Sequence, residues 1–96
     1  VTNNVAEYIA LINGLRICIE NDCKNVEIYS DSQLVVNQVN DRWKVRNKTL
    51  MMYYNISKKL LERFAKFEIN WVARNENREA DYLAKKAIDS LNSPNF

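Results

Sequence analysis

Residues 25–39 read NVEIYSDSQLVVNQV. Over 25–30, Val26 and Ile28 alternate with Glu27 and Tyr29, the period of a half-buried strand. Residues 32–40, SQLVVNQVN, follow as a helix, with Asp31 or Ser32 at its start. A strand running into a helix is the unit from which an α/β fold is built.

Working outward, residues 4–20 show helical spacing. Ile9, Ile12, Leu15 and Ile19 lie on one stripe, and Leu11, Leu15 and Cys18 lie on its neighbour. Asn4 is placed to cap this helix, and Asn21-Asp22 to end it. Downstream, 41–49 is a polar, basic loop. Residues 49–66 form a third helix with Leu50, Tyr53 or Tyr54, Leu60, Leu61 and Phe64 on its apolar side. FEINWVA, 67–73, alternates as a second strand. A charged loop, 74–78, leads to a last helix over 78–91 carrying Ala80, Leu83, Ala84, Ala87, Ile88 and Leu91. The order α-β-α-α-β-α predicts parallel pairing of the strands. Two strands make a poor sheet, which predicts further strands before Val1.

Composition narrows the chemistry. The 96 residues suit one domain and are 47% hydrophobic, enough for a core. No apolar run approaches the roughly 18 residues of a membrane helix, and the N-terminus does not read as a signal peptide. A reducing cytoplasm or nucleus is the expected compartment. Cys18 and Cys23 form no zinc motif, and Cys18 reads as a small apolar packing group. The chain has no histidine, so a Ser-His-Asp triad or a His-ligated zinc cannot be built from it. Hydrolysis here would run on carboxylates. A net charge of +2 is too small to argue for nucleic acid by itself.

Three carboxylates stand out: Glu7, Asp31 and Asp81. Glu7 falls in line with Leu11, Gly14 and Cys18, an apolar and small face; Gly14, the only glycine, is expected to let that helix approach a sheet closely. Asp31 ends a strand, at the edge where open α/β sheets place ligands. Asp81 lies in the first turns of the last helix. Each also has a structural reading: a capping box Asn4-x-x-Glu7, an N-cap for Asp31, and a helix-dipole partner for Asp81. Converging carboxylates need a cation to stay ionised together, and an all-oxygen set selects Mg²⁺ or Mn²⁺. Two such ions can activate water and stabilise the leaving oxygen in phosphodiester cleavage.

The ordered segments TNNVAEYIALINGL, IYSDSQLVVNQVN, WKVRN and NWVARNENREADYLAKKA resemble type 1 ribonucleases H, and most closely the reverse-transcriptase-like branch. The resemblance runs from about Thr2 to Ala87. It implies a ribonuclease H-like α/β fold, a mixed sheet flanked by helices, with residues 1–96 as the C-terminal portion of one domain whose first three strands are absent. It implies a two-metal endonuclease that cuts the RNA strand of RNA/DNA hybrids, active only as the intact domain. Glu7, Asp31 and Asp81 match the family's metal-binding carboxylates. A further aspartate on the family's first strand has no counterpart in this sequence.

The resemblance also implies substrate contacts. Asn3, Asn4 and Gln33 match residues that touch the minor groove and 2′-hydroxyls, which suits the wide, shallow groove of A-like hybrids. Thr2 and Asn47 match a pocket for a DNA-strand phosphate. For the asparagines, cap and turn chemistry is the competing reading. A histidine common in the family's last loop is absent, and Arg74 or Glu76 is the candidate substitute. The family's basic protrusion is reduced to Arg42-Trp43-Lys44-Val45-Arg46-Asn47-Lys48, either a phosphate-backbone contact or a solvated loop with one buried Trp. The alternative to an enzyme is a non-catalytic nucleic-acid-binding or interaction module of the same fold. Exposed sheet edges would pair with the missing strands or with another chain.

Overall fold

The computed structural model describes residues 3–73. The last helix expected over 78–91, with Asp81, lies outside the described residues, as do Thr2 and the loop residues Arg74 and Glu76. The described elements are α1 (Asn3–Glu20), β1 (Asn25–Ser30), α2 (Gln33–Val39), α3 (Lys48–Leu61) and β2 (Lys66–Trp71). β1 and β2 pair in parallel, from Asn25 opposite Lys66 to Ser30 opposite Trp71, as the alternation of strands and helices predicts. The Val72 N–H extends the ladder by donating to the Ser30 carbonyl at 2.9 Å.

Element ends follow hydrogen bonding more closely than apolar period. Asn4 lies within α1 and is not its cap. Ser32, not Asp31, caps α2: its Oγ accepts from the Val35 N–H at 3.2 Å. Asn47 caps α3, accepting from the Thr49 and Leu50 N–H groups at 2.8 and 3.1 Å. α3 stops at Leu61, short of the expected 66. The Arg63 and Phe64 amides bond back to Leu60 and Leu61, and the Ala65 N–H then pairs with the Lys24 carbonyl at 2.8 Å, drawing the chain into line with β1.

The core joins α1 to everything else. Val5, Tyr8, Leu11, Ile12, Leu15 and Cys18 are its buried residues, spaced three and four apart along one helix face. Ile9 and Ile17 fall off that face and are substantially exposed, which narrows the wide apolar arc expected of this helix. α1 packs mainly on α3, where the small Ser57 is fully buried and its hydroxyl donates to the Tyr53 carbonyl at 2.9 Å. Val35, Val36 and Val39 of α2, Val26 and Ile69 of the sheet, and Cys23, Leu50, Leu61 and Phe64 complete the cluster. Tyr8 donates to Gln38 Oε1 at 2.7 Å, so the two buried polar side chains of α1 and α2 satisfy each other. Burial, reinforced by Tyr54, holds the Tyr8 phenol protonated well above its ordinary range.

Gly14 does not play its expected part. A Cβ added there meets no atom within 4 Å, so no close approach requires glycine among the described residues. It lines a small apolar groove between α1 and β1, shared with Ala10, Leu15, Cys18, Val26 and Ile28. Gly14→Ala is therefore expected to stabilise the 96-residue chain by about 0.5–1 kcal/mol through helix propensity, read as a raised midpoint in chemical denaturation. A lowered midpoint would mean that another segment fills the groove.

Candidate active site

Asp31 follows the last residue of β1 and precedes the cap of α2, so its side chain leaves the sheet at the carboxyl end of the strand. The capping task that could have explained it belongs to Ser32. Three hydrogen bonds fix this corner. Trp71 Nε1 donates to the Asp31 carbonyl at 3.2 Å, Val72 N–H donates to the Ser30 carbonyl at 2.9 Å, and Ser32 N–H donates to Ser30 Oγ at 3.1 Å. The alternation of 67–73 carries no signal of the Trp71 contact. The Trp71 indole is nearly half exposed, and Ile69 is the buried residue of β2.

Glu7 projects from the second turn of α1 and is half-buried. It shares with Asp31, also half-buried, one open groove of about 380 Å³. Ala10 and Leu11 form the α1 side of this groove. Ile28, Tyr29, Ser30 and Ile69 form its sheet side, and Val35 comes from α2. The Tyr29 hydroxyl donates to Glu27 at 2.8 Å, and that bond raises the phenol's pKa. The chain thus brings together two carboxylates from separate elements over an apolar floor. No group of three or more His, Cys, Asp or Glu side chains suited to holding a metal occurs among the described residues.

The expected substrate contacts are dispersed. Asn3 and Asn4 are exposed one turn before Glu7, and Gln33 is exposed as the first residue of α2; none of them lines the carboxylate groove. The side-chain oxygen of Asn47 is occupied as the α3 cap, as the capping reading of the asparagines expects.

The basic loop is a separate surface, forming with Met51 and Tyr54 a shallow cavity of about 510 Å³. Trp43 is 47% exposed, which overturns the reading of a loop with one buried Trp. Val45 is the loop residue that packs on the core. The loop is anchored at several points. Asp41, in the left-handed region at φ 62°, receives bonds from Tyr54 and, at 2.6 Å, from Lys58. Lys58 also bonds the Val39 carbonyl at 3.0 Å, and Gln38 Nε2 bonds the Lys44 carbonyl at 3.3 Å. The hydrogen bonds from Lys58 and Tyr54 hold the Asp41 carboxyl below its ordinary pKa. Arg42, Lys44 and Arg46 stay exposed on this anchored backbone.

Residues 1–87 match the model of a family described as "Reverse transcriptase-like". The chain belongs to this family. Its relatives place the reverse transcriptase-like chain within the ribonuclease H group. It is 39% identical over 89 residues to the bifunctional protein Rv2228c of Mycobacterium tuberculosis, covering 93% of this chain and 24% of that protein. The solved N-terminal RNase H domain of Rv2228c superposes with a TM-score of 0.80 at 38% identity, covering 95% of this chain and 66% of that one. The crystal structure of RNase H1 from Halobacterium salinarum gives 0.79 at 36% identity, covering 94% and 68%. The fold is thus ribonuclease H-like, of the α/β class. The chain spans about a quarter of the length of Rv2228c.

The corner at Asp31 supplies a test of positioning. Trp71→Phe removes the indole donor and keeps an aromatic ring. Because the site is partly exposed, water replaces part of the lost bond, and the expected cost is about 0.5–1.5 kcal/mol. Hydrogen exchange at the Ser30–Ser32 amides should quicken in the same variant. Unchanged exchange there would show that the indole does not hold the corner.

Proposed function

We propose that this chain is the C-terminal portion of a single ribonuclease H domain, which hydrolyses the RNA strand of RNA/DNA hybrids when intact. The observation that carries this reading is the meeting of Glu7 and Asp31 in one groove at the carboxyl end of a parallel sheet. The family membership and the relatives named ribonuclease H support it. Three further strands would lie beside β1, whose second edge has no partner strand among the described residues. The chain's coverage of about two-thirds of each solved relative, 66% and 68%, supports that arrangement. No helix among the described residues is long and apolar enough to cross a membrane.

The donor set fits a hard divalent cation: two half-buried carboxylates, no nitrogen or sulfur ligand in the groove among the described residues, and one open side. Glu7, Asp31 and Asp81 would hold Mg²⁺ or Mn²⁺, which supplies Lewis-acid activation of water for phosphodiester cleavage. The remaining work falls to the chain itself. Trp71, Ser30 and Ser32 hold the Asp31 backbone so that its carboxylate faces the groove with little freedom to lose. Asn3, Asn4 and Gln33, exposed near the two carboxylates in sequence, would meet the minor groove of a hybrid. Thr2 and Asn47 would meet the DNA strand, Asn47 through its side-chain amide, because its oxygen is engaged as a cap. Arg42, Trp43, Lys44 and Arg46 would follow the phosphate backbone. The expected compartment is the cytoplasm or the nucleus.

The experiment is cleavage of a labelled RNA/DNA hybrid by the intact domain, with and without Mg²⁺ or Mn²⁺. Metal-dependent cutting confined to the RNA strand is the expected result. Hybrid binding that persists in excess chelator, with no cutting under any metal, would replace the enzyme by a binding module.

A further inference from the structure

α1 ends in a closed hydrogen-bonded motif. Asp22 adopts the left-handed conformation, φ 57°. Its N–H donates to the Ile19 carbonyl at 3.1 Å, and the Cys23 N–H reaches back to the Cys18 carbonyl at 3.0 Å. These are the two bonds of a Schellman motif, in which the residue after the left-handed position commonly makes an apolar contact with the helix residue whose carbonyl it binds. Here those two positions hold Cys23 and Cys18, the only cysteines of the chain. Both are buried, at 1% exposure for Cys18 and 8% for Cys23, and neither is in a disulfide. Their side chains are hydrogen-bonded to each other. A disulfide needs paired Cα atoms about 4.4–6.8 Å apart and facing Cβ vectors. The backbone bond from Cys23 to Cys18 and the mutual contact of their thiols bring the pair together at the intact end of α1.

We propose that Cys18 and Cys23 form a modification site, an intramolecular disulfide closed by a peroxide, which clips the end of α1 to the segment entering β1. Cys23, the more exposed, attacks first. Its thiolate sulfur bonds one oxygen of hydrogen peroxide as the O–O bond breaks. The released hydroxide takes the proton that Cys23 gave up and leaves as water, and the sulfur becomes a sulfenic acid. Cys18 sulfur then attacks Cys23 sulfur. The S–O bond breaks, and hydroxide takes the Cys18 proton and leaves as the second water. In sum, two thiols lose two protons and two electrons, and one peroxide becomes two waters. Burial, then the neighbouring Cys23, pushes the Cys18 thiol up to about 11, which leaves Cys23 as the thiol that meets the peroxide first.

The test uses the whole 96-residue chain, treated with stoichiometric hydrogen peroxide under native conditions, alkylated, and digested with trypsin without reductant. Both cysteines fall in one tryptic peptide, Ile17–Lys24, because no lysine or arginine separates them. That peptide is expected to lose two hydrogens, to escape alkylation, and to recover two alkylatable thiols after dithiothreitol. In Cys23→Ser the loss should vanish and Cys18 should be alkylated. Full alkylation of both thiols after peroxide, oxidation that runs on to sulfonic acid, or cross-linking only between molecules would each overturn the proposal. The unsubstituted chain decides this alone should the variant fold poorly.

Discussion

Asp31→Asn is expected to reduce hybrid cleavage by the intact domain at least ~10²-fold while leaving the fold in place, because it removes the ligand charge and keeps the shape. Two bonds at this corner survive the substitution. The capping bond of α2 comes from Ser32, and the bond from Trp71 goes to the backbone carbonyl of residue 31, which asparagine keeps. Thermal stability is expected to change by about 1 kcal/mol, the common scale of a single conservative substitution, with the chain still folded. Cleavage assayed at saturating Mg²⁺, beside the circular-dichroism melt, separates the two effects. Retained activity would remove Asp31 from the reaction, whereas lost activity with a collapsed melt would assign it a structural task.

The largest expected loss of stability comes from Leu15→Ala. Leu15 is fully buried on α1 and belongs to the central cluster. Truncation removes buried methyl groups and leaves a cavity, at a cost of about 2–5 kcal/mol. Against a typical total of about 5–15 kcal/mol, that is enough to unfold a marginal chain. Ile17→Ala, two positions along the same helix, is the internal control. Ile17 is 49% exposed and should cost far less. Urea denaturation of both variants tests the assignment, and equal losses would mean that the α1 face is misplaced.

Much of the site was legible before any coordinates. The alternation of 25–30 marked β1, and Asp31 stood at its end. What could not be read was which of the adjacent residues, Asp31 or Ser32, caps the next helix, because both types do so well. The observed bond from Val35 to Ser32 decided it, and Asp31 is not the cap. At Asn47, which matches a phosphate-contacting position of the family, the structure adds a second task, since its side-chain oxygen caps α3. Glu7 and Asn4 had the spacing of a capping box, yet Asn4 lies inside α1, which leaves it no cap role.

The sequence by itself determined the order of the five described elements, the parallel sense of the strands and the residue types available for chemistry, because these depend on local period and composition. Only the tertiary structure decided which apolar residues are core, since Ile9, Trp43 and Trp71 are as hydrophobic as their buried neighbours and differ in what packs over them. Only the tertiary structure showed that Trp71 steadies the corner of Asp31, that α3 stops where Ala65 pairs with Lys24, and that Glu7 and Asp31 share a groove. Those facts rest on contacts between residues far apart in the chain, and such contacts leave no period in the sequence.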